Sequence, residues 1–191
     1  ELHRKSRAKV PFPVIALVGY TNAGKSTLFN LLTGADEFSE NMLFATLDPK
    51  MRSIKLNNKL KIIISDTVGF ISDLPTELIA AFRATLEEVL AADLILHVRD
   101  IAHRDTDLQA AEVEKVLHSL GISESTQILE IWNKMDKIEP IKKRSIENIA
   151  KRRSGLCYLS ALTGEGVSSL IKQVEKLIVP QKFSETLLVP F

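Results

Sequence analysis

Apolar positions along this chain follow two periods that alternate from near its start to about residue 178. Val14-Ile15-Ala16-Leu17-Val18 is a short, largely β-branched run closed by Gly19, the pattern of a strand buried on both faces. From Lys25 to Thr33 the spacing becomes helical, with Leu28, Leu31 and Leu32 on one side and Gly34 as the stop. Residues 36–49 show no period and read as a long loop. Two alternating segments, 50–56 and 60–65, flank Asn57-Asn58, a pair that tolerates the positive φ of a hairpin turn. A helix starting near Pro75-Thr76 then places Leu78, Ile79, Phe82, Leu86, Val89 and Leu90 on one face. The expected order continues with a strand at 94–98, a helix at about 106–120 and a strand at about 126–132. A charged helix at about 140–153, a short strand at 157–159 and a helix at about 166–178 complete it. Strands alternating with helices require crossover connections. The expected fold is therefore α/β: a mainly parallel six-stranded sheet with one antiparallel edge strand from the hairpin, and helices on both faces.

Length and composition narrow the class. The chain has 191 residues, enough for one domain with short attachments and a core that needs no staple. The expected division is a basic linker over 1–13, a nucleotide-binding domain over 14–179 and an extension over 180–191. The chain starts at Glu1 and ends at Val189-Pro190-Phe191, so a piece of a longer protein is expected. Lys+Arg 25 against Asp+Glu 24 gives a net charge of +1, so no bulk field of either sign selects a partner. The single cysteine, Cys157, excludes an intramolecular disulfide and a cysteine-based zinc site. No apolar run is long enough to span a bilayer, and no signal peptide is visible. A cytoplasmic monomer is the expectation.

Chemistry gathers at strand ends. Gly19-Tyr20-Thr21-Asn22-Ala23-Gly24-Lys25-Ser26 fits G-x-x-x-x-G-K-[ST] between a predicted strand and a predicted helix. Its backbone N–H groups and the helix N-terminus can cradle phosphates. Lys25 can reach the β- and γ-phosphates, and Ser26, followed by Thr27, can ligate Mg²⁺. Asp66-Thr67-Val68-Gly69 follows an apolar strand. That places Asp66 to hold Mg²⁺ through a water, and the Gly69 N–H to sense a γ-phosphate. Asn133-Lys134-Met135-Asp136 also sits just past a strand. There the Asp136 carboxylate can accept guanine N1–H and N2–H₂ together, a pattern adenine cannot satisfy. Asn133 would brace the loop, and the Lys134 stem would cover the base. Ser160-Ala161-Leu162 can present a backbone N–H to the guanine O6. The three motifs in series point to GTP and GDP with Mg²⁺ rather than to an ATP-using phosphotransferase.

These motifs resemble those of Ras-like P-loop GTPases, and a narrower likeness runs over about residues 12–180. Residues 17–30 (LVGYTNAGKSTLFN), 43–48 (LFATLD), 66–71 (DTVGFI), 81–88 (AFRATLEE) and 92–98 (ADLILHV), with Leu74-Pro75, resemble the HflX family. That resemblance implies a P-loop NTPase three-layer fold and a GTPase that binds the large ribosomal subunit, in subunit splitting or ribosome rescue. By the same likeness Thr46 matches the threonine that closes over Mg²⁺ and the γ-phosphate. Lys25, Thr46, Gly69 and Asn22 are the implied catalytic set, and Ser26, Thr46 and Asp66 the implied metal set. Asn22 matches the phosphate-loop asparagine of potassium-activated GTPases, where K⁺ bridges phosphates; a side chain bracing its own loop is the competing reading. Phe70 stands where Ras-like proteins carry a water-orienting Gln. Isolated hydrolysis is thus expected to be slow, and a nucleotide-dependent sensor or docking module with negligible turnover, or a ribosome assembly factor, is the alternative. The resemblance also implies an N-terminal domain and a coiled-coil hairpin preceding this segment. His97 and Cys157 read as core residues. Lys142, Lys143, Arg144, Lys151, Arg152 and Arg153 read as a solvated face or a contact for rRNA.

Overall fold

The computed structural model describes residues 11–34, 50–66, 89–122 and 126–183. A six-stranded sheet runs through them in the order β2-β3-β1-β4-β5-β6. The strands are β1 (Val14–Val18), β2 (Lys50–Lys55), β3 (Lys61–Asp66), β4 (Leu94–Asp100), β5 (Gln127–Asn133) and β6 (Leu156–Tyr158). All neighbours pair in parallel except β2 with β3, so the hairpin supplies the one antiparallel strand and forms one edge. The described helices are α1 (Lys25–Thr33), α2 (Thr106–Ser119), α3 (Pro140–Arg152) and α4 (Val167–Phe183), with a single 3₁₀ turn at Met135–Lys137.

Alternation within the central strands feeds two cores. Ile15 and Leu17 of β1, Leu94, Leu96 and Val98 of β4, and Leu129 and Ile131 of β5 point to one face. There they meet Leu28 and Phe29 of α1 and Leu170, Val174 and Ile178 of α4. Ala16, Val18 and Ile95 point to the other face, against Val113 and Leu117 of α2 and against Val89 and Ala92. Because both faces are covered, β1 and β4 carry no polar alternation, which is why they read as continuous apolar runs. α3 buries no side chain completely. Several of its side chains are half-buried, and ion pairs stand near its ends, Lys143 with Glu165 at 2.7 Å and Arg153, just past it, with Glu130 of β5 at 2.8 Å.

Two local expectations need correction. The positive φ of the hairpin falls on Lys59 (67°), not on Asn57 or Asn58. Lys59 N–H donates to the Leu56 carbonyl and Leu56 N–H to the Leu60 carbonyl, both at 2.9 Å. This is a type I-like turn closed by one left-handed residue, and the Asn58 side chain accepts from Leu60 N–H at 2.9 Å to hold it. α4 also runs to Phe183, past Pro180 and past the helix end expected near residue 178. A helix can carry that proline at the loss of one backbone hydrogen bond and some local strain. The expected helix over 75–90 lies outside the described residues save its end, where Val89 is fully buried.

His97, within β4, is 3% exposed, and its Nε2 finds no hydrogen-bond partner among the described residues. Burial lowers its pKa to about 4, although Glu130 pulls the other way, so it is a neutral core residue near neutral pH. Burial likewise raises the Cys157 thiol to about 11. A thiol so rarely ionised is a packing group, not a nucleophile. No described helix is long and apolar enough to cross a membrane.

Candidate nucleotide-binding site

Every motif singled out above, where described, emerges at the C-terminal edge of the sheet, the edge at which open α/β folds bind ligands. β1 ends at Val18, and the chain curls through residues 19–24 into α1. Gly19 (φ 155°) passes so close to β4 that a Cβ there would lie 2.2 Å from the Val98 carbonyl oxygen. Gly24 (φ 95°) is pressed against the base-side loop, and a Cβ there would lie 2.3 Å from Asn133 Nδ2. Only glycine fits either position. No side chain caps α1 at Gly24, so the first-turn N–H groups are presented to an anion.

Lys25 is 6% exposed and donates from Nζ to the Tyr20 carbonyl at 3.1 Å, spanning the loop it serves. Burial lowers its pKa to about 8, against the opposing pull of the Asp66 carboxylate. An anionic ligand would restore its full charge. Ser26 Oγ donates to Asp66 Oδ2 at 2.8 Å, so α1 and the end of β3 bring a hydroxyl and a buried carboxylate together. That donor set suits Mg²⁺, which takes one or two carboxylate or hydroxyl oxygens and fills its octahedron with phosphate and water.

The base-side loops are fastened to the phosphate loop by one residue. Asn133 is 1% exposed; its Nδ2 donates to the Ala23 carbonyl at 2.9 Å, and its Oδ1 accepts from Ala161 N–H at 2.9 Å. Lys134, in a left-handed conformation (φ 65°), donates from Nζ to the Asn22 carbonyl at 2.7 Å and pairs with Asp100 at 2.7 Å. Ser160 Oγ donates to Asp136 Oδ1 at 2.5 Å and accepts from Thr163 N–H at 3.2 Å, fixing the carboxylate expected from the sequence to read a base. Leu162 is 76% exposed at the rim.

The structure thus gathers residues 19–27, Asp66, Asn133, Lys134, Asp136 and residues 160–162 at one site. Thr46, Gly69 and Phe70 lie outside the described residues. The Asn22 side chain makes no hydrogen bond to a described residue, so its bracing reading finds no support; its carbonyl, turned by a φ of 61°, serves Lys134 instead. Asp100 had not been singled out. It too ends a parallel strand, the position that selected Asp66 and Asn133.

A six-stranded, mostly parallel sheet with this loop, this carboxylate and this base-side clamp defines a P-loop nucleotide-binding domain of the guanine-reading class. The chain belongs to the family of 50S ribosome-binding GTPases, whose model matches residues 14–134. It is 46% identical over 177 residues to the GTPase HflX of Magnetococcus marinus, a match covering 93% of this chain and 40% of that protein. The chain thus spans about two fifths of the length of that relative. Among solved structures it is similar to a Sulfolobus solfataricus GTP-binding protein in complex with GDP. That match has a TM-score of 0.67 and 30% identity, and covers 94% of this chain and 57% of the other. Era, in complex with MgGDPNP and nucleotides 1506–1542 of 16S rRNA, matches with a TM-score of 0.69 and 25% identity, over 87% of this chain and 56% of the other.

Proposed function

We propose that this chain is the GTP-binding and GTP-hydrolysing switch of a ribosome-directed protein of the HflX type, acting on the large subunit in splitting or rescue. The observation that carries the nucleotide reading is the Asn133 clamp, which joins the phosphate loop to both base-side loops through two buried hydrogen bonds. The ribosomal half rests on the family and on the HflX likeness.

In this reading the first-turn N–H groups of α1 and Lys25 hold the phosphates. Asp136 and the Ala161 region select guanine. Ser26 would hold Mg²⁺, Asp66 would act through a water and Thr46 would join them with GTP bound; the ion, when bound, would supply charge neutralisation at the phosphates. The reaction is in-line attack of water on the γ-phosphate, for which positioning and charge neutralisation supply most of the catalysis. The Gly69 N–H would contact the γ-phosphate. Phe70 offers no group to polarise water, so turnover depends on something supplied from elsewhere: a K⁺ ion near Asn22, or the ribosome. The second is favoured, because relatives extend well beyond this segment.

The test is single-turnover GTP hydrolysis by this chain and by the longer protein, with and without purified large subunits. Expected are slow turnover alone, near the ~10⁻⁴ to 10⁻³ s⁻¹ scale of unassisted Ras-like domains, little effect of exchanging Na⁺ for K⁺, and strong stimulation of the longer protein by subunits. Absence of stimulation in the longer protein would overturn the ribosomal half. Hydrolysis undetectable under every condition would leave a nucleotide-dependent sensor as the better reading.

A further inference from the structure

The charge of this chain is nearly balanced overall but not locally. Residues 50–65 carry Lys50, Arg52, Lys55, Lys59 and Lys61 and no carboxylate; taking those five from 25 leaves 20 basic against 24 acidic residues elsewhere. The hairpin is thus a positive edge on an otherwise negative chain. Lys55 of β2 and Lys61 of β3 stand directly opposite each other in the ladder, an arrangement of like charges that weakens a hairpin on its own. Lys59 occupies the left-handed position at the tip. Neither Lys55 nor Lys59 forms an ion pair with a described residue. Lys61 Nζ lies 4.7 Å from the Phe12 ring centroid, a contact that orients the ammonium without neutralising it. The carboxylate that does reach the tip, Glu175 of α4, accepts from the Asn58 backbone N–H at 3.1 Å.

Edge strands carry lysines to prevent sheet-to-sheet pairing, and that accounts for those on β2. It does not account for Lys61, which lies on β3, inside the sheet, facing Lys55. An acidic protein partner fits poorly as well, because protein interfaces are depleted in lysine and built on aromatic anchors. The exposed residues around these lysines include Met51 and Arg52 as well as Ser53, Asn57 and Asn58, the last three being hydroxyl and amide donors of the kind that accompany lysine on phosphates. We propose that the β2–β3 hairpin, through Lys55, Lys59 and Lys61, is a docking surface for the phosphate backbone of RNA. The proposal deepens the ribosome-directed reading by naming a contact surface, and rests on it for the choice of RNA among polyanions. The surface lies at the sheet edge remote from β6 and uses no residue of the nucleotide site.

The test is fluorescence anisotropy of a fluorescein-labelled RNA stem-loop, titrated with the GDP-saturated chain over a range of KCl concentrations. The combined Lys55→Ala, Lys59→Ala, Lys61→Ala variant should bind at least about tenfold more weakly at low salt. Its salt slope should be shallower by about 2 to 3, given roughly 0.9 per phosphate neutralised on a duplex. The same three positions as Arg should restore binding, and GDP affinity should be unchanged throughout, which shows that the variants fold. Equal affinity and slope in the alanine variant, or no binding of the RNA by the unaltered chain, would overturn the surface. So would loss of binding to large subunits with RNA binding intact, because that result points to an acidic protein. Co-sedimentation of the longer protein with large subunits separates the two readings. If it is unaffected by the three alanines, the surface fails and the ribosomal role stands. If the lysines govern RNA binding but the longer protein does not co-sediment, the surface stands and the ribosomal role fails.

Discussion

Asn133→Ala is the substitution that most directly tests how this site is held together. The side chain closes two hydrogen bonds of 2.9 Å, to the Ala23 carbonyl and the Ala161 N–H, and both partner residues are buried. Truncation leaves both backbone groups buried and unpaired. At about 1–3 kcal/mol for each such group, the expected loss of folding stability is about 2–6 kcal/mol. For a domain of this size that corresponds to a fall in Tm of roughly 4 to 24 °C. Urea unfolding, followed with and without GDP, measures the loss, with the slope m unchanged if only stability is altered. The clamp joins the phosphate loop to the base-side loops, so the variant should also gain less from GDP. Each tenfold rise in Kd removes about 1.4 kcal/mol of ligand-induced stabilisation at fixed GDP. Asn133→Asp keeps the acceptor for Ala161 but turns a carboxylate oxygen toward the buried Ala23 carbonyl, and should be destabilised at least as much as Asn133→Ala. A loss below about 0.5 kcal/mol in Asn133→Ala, smaller than one buried unsatisfied group should cost, with an unaltered gain from GDP, would refute the clamp.

Three further outcomes are expected. Asp136→Asn should weaken GTP and admit xanthosine triphosphate, because an amide can donate to the carbonyl that replaces the guanine amino group; unchanged preference in competition binding would remove the base-reading role. Lys25, at about 8 in the free protein, should be recharged by bound phosphate, so calorimetry at pH 8.5 in buffers of different ionisation enthalpy should show proton uptake on GDP binding, absent in Lys25→Met. Lack of uptake in the unaltered chain would contradict the lowered pKa. His97 is neutral when folded and charges near pH 4, against 6.5 when unfolded, so the unfolded state binds more protons between those values and stability must fall as pH drops from about 6.5 to 4. The full span is worth roughly 3 kcal/mol, and a His97→Asn variant that kept the same acid limb would exclude this residue as its source.

How much of this was readable beforehand follows from the range of each interaction. β1 and α1 were legible to the residue because their signals are local: an apolar run stopped by glycine, a helical stripe stopped by Gly34. The hairpin was legible as a hairpin but not in its turn. Asn57-Asn58 suits a two-residue loop, whereas the ladder closes through Leu56 and Leu60 and passes the positive φ to Lys59. The end of α4 was hidden because proline is read as a stop, and local pattern cannot say when a helix absorbs one. The site was legible as motifs because each motif packs its chemistry into a few consecutive residues. Asp100 was missed for the opposite reason. An aspartate before a turn is commonplace, and its partner Lys134 lies 34 residues away.

The same distinction separates what each motif does alone from what the site does. Read singly, the phosphate loop is suited to an anion, and Asn133 to Asp136 are proposed to recognise a base. In the folded chain those tasks share atoms. The Ala23 carbonyl of the phosphate loop is held by Asn133, the Asn22 carbonyl beside it by Lys134, and the latter is anchored by Asp100 at the end of β4. The Asp136 carboxylate is gripped by Ser160, whose neighbour Ala161 is tied to Asn133 again. On the proposed reading, a base that fails to seat against Asp136 would therefore strain the loop proposed to hold the phosphates, and a phosphate loop out of place would disturb the base pocket. Lys134 has the same double duty, since its stem is to cover the base while its charge rests on the phosphate loop. Affinity and specificity in this protein should consequently move together under substitution of Asn133 or Lys134.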